Sequence, residues 1–459
     1  METEGEARGE PGLTPWGRLA RRLDAPVDGA SLAAFRVIFG LLLSGAALRF
    51  IAKGTVYDHY LAPRVFFPAA ELGWLRPLPG AGMYAVWGAL SLLGLCLAAG
   101  LFTRASAALF CVLFTYAHAI DKSHYLNHYY LVSLLTALMV VVPVGQVASV
   151  DAWKRGGGGQ RVPTWALWLL RFQVGCVYFY GGVAKLKGDW LLRAMPLRIW
   201  LPSAADVPLL GPLLGHPEVA WAMSWAGAAY DLSIPFLLLW ARTRPFAYAA
   251  VVFFHVVTGR LFNIGLFPYF MVGASLLFLP PSWPRALLRR PALADAPATP
   301  LAPLAPWGRA LLAGHVALQV LLPLRHWLYP GNVLWTEDGF RFAWNVMLME
   351  KTGAAEFTVV DRATGRREPV RNRDHLTLYQ EVAMAAQPDL FLAFAHHLGR
   401  AYQARGRDVA VVADAVVSLN GRPPARLVAP DLDLTQIHED LGPRRWVLPL
   451  PAAPSTDKK

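Results

Sequence analysis

The chain has 459 residues, of which 55% are hydrophobic and only 16% charged, with 17 Trp and a mean hydropathy of +0.36. This balance excludes an ordinary soluble enzyme and points to a membrane protein. The formal net charge of +12 does not mark a nucleic-acid partner, because Arg and Lys stand at the ends of apolar stretches and in short loops rather than in one basic stripe.

Residues 1–30 are charged and polar, and no small-residue cleavage pattern follows the first apolar run, so the segment reads as cytoplasmic and the first helix as a signal anchor. Nine apolar stretches follow, at about 31 to 50, 83 to 102, 104 to 120, 126 to 147, 164 to 186, 218 to 240, 245 to 264, 266 to 280 and 307 to 328. Each approaches the roughly 20 residues that a spanning helix needs, and the eighth is short enough to be tilted or re-entrant. Lys and Arg are denser in the set of alternating loops that includes the N-terminus, which places that end in the cytoplasm and, after nine spans, the C-terminus outside. Cys96, Cys111 and Cys176 fall inside predicted spans without metal-knuckle spacing, so no disulfide is expected. The Pro-rich tract 291–306 reads as a linker.

Beyond residue 330 the pattern becomes short alternating runs with turn residues. Glu356 to Asp361, followed by Ala-Thr-Gly365, predicts a hairpin; Val409 to Ser418, followed by Asn420-Gly421, predicts another pair of strands; a helix over about 388 to 405 lies between them. The expected fold is thus an all-α polytopic membrane domain of about nine transmembrane helices over 31–330, followed by a small α+β soluble domain over 331–459 on the extracytoplasmic side.

That topology brings polar residues from distant hairpins to one face of the bilayer: Asp121, Lys122, Tyr125, Asn127 and His128 between spans three and four, Lys185 at the end of span five, and His255, Arg260 and Asn263 at the end of span seven. They are expected to line a pocket between helices. Lys185 is the sharpest candidate. An ammonium loses solvation at membrane depth, the neutral amine is favoured there, and a neutral amine is a general base. A second reading stays open, in which Lys185 and Lys187 snorkel to the interface beside Trp190. His128 also fits a bundle histidine, and the tyrosines around it fit either an interfacial belt or stacking on a ring. His124 and His128 near Asp121 have the spacing of a metal pair but lack a further acidic ligand, so no metal is assigned. Arg36 and Arg171 are read as structural, with Asp231 as their partner, and His396 and His397 as surface residues.

Several ordered motifs carry a resemblance: Leu23-Asp24, Ser31-Leu32 with Phe35-Arg36, Arg76-Pro77-Leu78-Pro79, Asp121-Lys122 with Asn127-His128, Ser149-Val150-Asp151, Leu170-Arg171 with Gln173, Gly182-Val183 with Lys185-Leu186 and Asp189-Trp190, and Trp283-Pro284-Arg285. In this order they resemble the membrane domain of vitamin K-dependent γ-glutamyl carboxylases, which belong to the horizontally transferred transmembrane (HTTM) domain proteins. The resemblance implies that a lysine deprotonates vitamin K hydroquinone, that O2 then yields a base able to take the γ-proton of a glutamate, and that the glutamyl carbon attacks CO2 while quinone epoxide leaves. It places the base on Lys185, although the family's Lys-Lys pair is Ala184-Lys185 here, and it places the family's Asn-His pair on Asn127 and His128, within reach of a quinone oxygen. It further implies vitamin K hydroquinone or menaquinol with O2 and CO2 as co-substrates, a glutamate-containing protein or peptide as partner, the lipid bilayer as setting, and a short bacterial-type form in a cell inner membrane. Two alternatives remain beside it: a quinone epoxidase without carboxylation, and a non-enzymatic membrane binding protein.

Overall fold

The computed structural model describes residues 14–69, 72–157, 159–208, 211–291, 293 and 304–452. Residues 1–13 of the segment expected to be cytoplasmic and most of the 291–306 linker lie outside the described residues. A helix occupies each of the nine expected intervals: α1 (Ala30–Ala52), α2 (Gly82–Ala99), α3 (Thr103–Ala119), α4 (Asn127–Val141), α5 (Thr164–Lys185), α6 (Pro217–Leu239), α7 (Arg244–Leu261), α8 (Phe267–Ser275) and α9 (Pro306–Leu321). Among the described residues, four helices are long and apolar enough by themselves to cross a membrane: Ala30–Ala52, Gly82–Ala99, Pro217–Leu239 and Pro306–Leu328, the last being α9 with the 3-10 turn that extends it. The expected nine crossings are therefore matched in position by nine helices, but in length and apolarity by four.

Small residues decide how the helices meet, as they must where no hydrophobic gain separates protein from lipid. A Cβ on Gly40 of α1 would lie 2.5 Å from the Ala98 nitrogen, and one on Gly94 of α2 would lie 2.7 Å from the Ser44 nitrogen. The two backbones therefore touch, and the Ser44 and Ser91 hydroxyls pair at 2.9 Å between them. At the opposite end of the bundle from the C-terminal region, Asp151 accepts from the Phe102 and Thr103 amides, both at 2.8 Å, and so satisfies the open N-terminus of α3. Arg36 donates to the Ala148 carbonyl at 2.6 Å, and Arg171 to the carbonyls of Leu277 and Leu279 at 2.7 and 3.0 Å. Both arginines sit within helices and donate to backbone carbonyls of neighbouring loops and turns rather than to Asp231, which is taken by Lys185.

The C-terminal region forms a four-stranded antiparallel sheet in the order β2-β1-β3-β4, from β1 (Lys351–Asp361), β2 (Arg367–Pro369), β3 (Val409–Leu419) and β4 (Ala425–Arg426). Alternation puts Phe357 and Val359 of β1 and Val411, Ala413 and Ala415 of β3 on one face, where Phe391 and Phe394 of helix α11 (Pro388–Gln403) cover them. The Asn420-Gly421 turn is left-handed at both residues, with φ 51° and 70°, and the strand after it is only two residues long. A second helix, α10 (Leu378–Ala386), has no counterpart in the sequence reading. His396 is half-buried rather than a surface residue, its Nε2 lying 2.9 Å from the Ile437 carbonyl oxygen.

This region caps one end of the bundle. Arg422 holds Asp189 through two contacts of 2.7 Å, Asn420 donates to the same carboxylate at 3.1 Å, and Asn127 donates to the Asn345 carbonyl at 2.9 Å.

Candidate active site

Glycine at position 182 sets the geometry around Lys185. A Cβ there would lie 2.8 Å from the Leu232 backbone nitrogen, so only glycine lets α5 and α6 approach this closely. The approach places Asp231 of α6 beside the last turn of α5: Lys185 Nζ donates to Asp231 Oδ2 at 2.7 Å and to the Gly181 carbonyl at 3.3 Å. Nζ also lies 5.2 Å from the centre of the Trp190 ring, which is pinned by bonds of Trp190 Nε1 to the Ser224 carbonyl and of the Ser224 hydroxyl to the Trp190 carbonyl. Lys185 is 6% exposed. Its amine turns inward, which disposes of the snorkelling reading for this lysine.

The amine borders a small cavity of about 90 Å³ lined also by Asp231, Tyr178, His255, Phe267 and Met347. Tyr178 Oη stands 3.0 Å from both His255 Nε2 and Ser275 Oγ. A larger cavity of about 540 Å³ lies alongside, walled by apolar residues of α1 to α4 and α8, and it carries His128, Asn127, Tyr125 and Asn263. Ile264, Phe267, Val346 and Met347 line both spaces, so the lysine cavity and the histidine cavity adjoin along one apolar boundary.

Of the expected residues, Lys185 and His255 thus sit on the small cavity and His128, Asn127, Tyr125 and Asn263 on the large one. His128 has no hydrogen-bond partner among the described residues; its ring lies against Tyr129 and Phe267 at centroid distances of 4.6 and 5.8 Å. Tyr125 Oη donates to Asn127 Oδ1 at 3.2 Å and accepts from the Phe342 amide at 2.9 Å. Asn127 and Tyr125 therefore serve the wall of the cavity as much as its interior.

Asp121, Lys122 and Arg260 line neither cavity. Asp121 is buried and accepts from the Ser123 amide at 2.9 Å and from Gln380 Nε2 of α10 at 2.7 Å; burial pushes its carboxyl up to about 6. Lys122 pairs with Asp389 of α11 at 3.2 Å. Burial works against that carboxylate, but Arg341 and Lys122 hold it well below the usual carboxylate range. Both residues fasten the C-terminal region to the bundle. Arg260 is exposed at the end of α7. His124 stacks on His59 at 3.6 Å and on Tyr379 at 4.6 Å, and no metal-binding group of three or more His, Cys, Asp or Glu occurs among the described residues.

Sequence reasoning missed three features. Asp231 is the partner of Lys185, which only the helix crossing reveals. The segment from Phe340 to Met349 closes the large cavity, and three of its bulky residues, Phe342, Trp344 and Met347, adopt left-handed backbone with φ of 64°, 55° and 55°. Strain of this kind gathers where a wall must take one shape. Lys187 is half-buried, with Nζ 3.5 Å from Asn345 Oδ1, and burial lowers its amine to about 8 against the pull of Asp189.

Two family models match the chain in order. A family model described as HTTM domain matches residues 24–283, and one described as vitamin K-dependent gamma-carboxylase, lumenal domain, matches residues 305–453. No solved structure gives a significant match to the chain. With the first match covering more than half of the chain and the second following it in order, the chain belongs to the vitamin K-dependent γ-carboxylase family of HTTM-domain proteins.

Proposed function

We propose that the protein is a membrane γ-glutamyl carboxylase that couples oxygenation of vitamin K hydroquinone, or of a menaquinol, to carboxylation of glutamate in a protein or peptide. One observation carries the reading: a buried lysine amine and an apolar cavity of about 540 Å³ share a wall at the end of the bundle that the C-terminal region covers. The large cavity fits a flat ring with an apolar tail, since Leu43, Phe110, Phe114 and Phe270 line it while Asn127 and His128 supply its polar groups.

Bound hydroquinone supplies, with O2 and CO2, the chemistry that replaces a glutamyl γ-proton by a carboxylate and leaves as an epoxide. The chain's own residues do the rest. Lys185 Nζ receives the hydroxyl proton; an amine suits this weakly acidic group better than a carboxylate acting alone. His128, without a partner in the protein, is free to hydrogen-bond a ring oxygen and to steady negative charge there. Phe267, Val346 and Met347 keep water from the reacting carbon, which would otherwise be reprotonated before CO2 reached it. The bond from Asn127 to the Asn345 carbonyl holds that wall shut.

In this reading the N-terminus is cytoplasmic, the region from 331 onward is extracytoplasmic, and the setting is a cell inner membrane. The test is product analysis. Purified protein given reduced vitamin K, O2, labelled bicarbonate and a glutamate-rich peptide should form epoxide and labelled γ-carboxyglutamate together. Epoxide alone would reduce the reading to an epoxidase, and neither product would leave a binding protein.

A further inference from the structure

The ion pair at Lys185 poses a problem for its role as base. An amine that already holds its proton against a carboxylate at 2.7 Å has no lone pair to offer. Among the described residues, the hydrogen-bond partners of Nζ are Asp231 Oδ2 and the Gly181 carbonyl, and a peptide carbonyl does not take up a proton at ordinary pH. The other ionisable groups facing the pair are Tyr178 of α5, Tyr230 of α6 and His255 of α7; Tyr178 is engaged with His255 and Ser275. Of the two groups bonded to the amine, the carboxylate is the one able to take its proton directly.

We propose that Asp231 is the proton acceptor that makes Lys185 a base, a positioning residue that acts through the lysine. This inference rests on the reading of Lys185 given above. The N–H bond of Nζ breaks and its proton passes to Asp231 Oδ2, leaving a neutral amine beside a neutral carboxylic acid. The O–H bond of a bound hydroxyl then breaks, its proton joins the amine lone pair, and its electron pair stays on oxygen. The ammonium so regenerated neutralises that oxygen in place of the carboxylate. At every stage the cavity holds at most one pair of opposite charges, which is the condition for charge to move in apolar surroundings at tolerable cost. Once the negative charge on the oxygen has left with the product, loss of the carboxyl proton to solvent restores the ion pair. Gly182 acquires a reason in chemistry as well as packing, because it brings the two helices close enough for direct transfer.

The experiment is infrared difference spectroscopy of the full-length protein in lipid nanodiscs, with and without vitamin K hydroquinone and in the absence of O2, alongside ultraviolet absorption of the ring. The expected result is ionisation of the hydroxyl together with a new protonated-carboxyl band that shifts on 13C-aspartate labelling and is missing from Asp231→Asn. Ionisation without that band overturns the role of Asp231 while sparing Lys185. No ionisation in the unaltered protein, while Lys185→Ala is as active as the parent in epoxide formation, overturns both. In the kinetic arm, Asp231→Ala should form epoxide about 100-fold more slowly or worse. Small carboxylates should restore part of the rate, those of higher pKa more effectively, and Asp231→Glu should retain more activity than the alanine variant. A structural role alone would show no dependence on the pKa of the added acid, and that result counts against the proposal.

Discussion

A lysine at the end of an apolar helix turns inward only if something inside compensates its charge, and at position 185 that something is set by glycine 182 three residues earlier. Gly182→Ala would place a methyl carbon 2.8 Å from the Leu232 nitrogen, a backbone atom that cannot swing aside. The helices should part and the bond between Lys185 and Asp231 lengthen. The expected cost is on the order of 1–3 kcal/mol in thermal unfolding, with a larger fall in epoxide formation; an alanine variant of unchanged stability and rate would show that the close crossing is dispensable. Lys187, two residues on, gives a pH signature. Its amine is lowered from 10.5 to about 8 by burial, so between those values the unfolded chain binds the proton that the folded one has lost. Folded stability therefore rises with pH across this window, and below about 8 the full penalty of a buried ammonium is present. Lys187→Met should raise the melting temperature at neutral pH and lose that advantage as pH climbs past 10, measured by thermal melts in detergent at a series of pH values. A difference independent of pH would contradict the buried-amine account.

Elements of the bundle and the C-terminal region share an apolar core and several polar bonds, and one buried clasp between them is Arg422 on Asp189, both side chains being 9% exposed. Removing Arg422 leaves the Asp189 carboxylate held by Arg193 at 3.3 Å and by Asn420 at 3.1 Å, so the lost charged hydrogen bonds set the cost. Arg422→Ala should cost about 1.5–3 kcal/mol and make the 340–349 wall easier to cleave by protease. Unchanged proteolysis would assign the docking to the apolar contacts alone. How far these elements were legible in the sequence differs case by case. The intervals of α1 to α9 could be read because each is an apolar run bounded by charges or turn residues, and the helix Pro388–Gln403 because its apolar stripe is regular. The wall from Phe340 to Met349 could not, since left-handed Phe342, Trp344 and Met347 follow no period. Lys185 stood out as a charge in an apolar setting, whereas Asp231 was assigned to the arginines because no local pattern tells which helix lies against which. Asp121 and Lys122 had the look of pocket residues and proved to be fasteners, for the same reason: their partners, Gln380 and Asp389, lie more than 250 residues away.

At the scale of the whole molecule the account needs the capped end of the bundle to face away from the cytoplasm, where an exported protein would meet it. A reporter fused after Lys459 should be active only on the extracytoplasmic side. Activity in the cytoplasm would reverse the orientation and with it the side from which a protein substrate arrives. The measurement that bears most directly on the central claim is epoxide formation by Lys185→Ala, purified in membranes and shown to be folded. The account predicts loss of at least about 100-fold, with part of the activity returning when a small unprotonated amine is supplied to the vacated space. Turnover near that of the parent protein would remove Lys185 as the base and the carboxylase reading along with it.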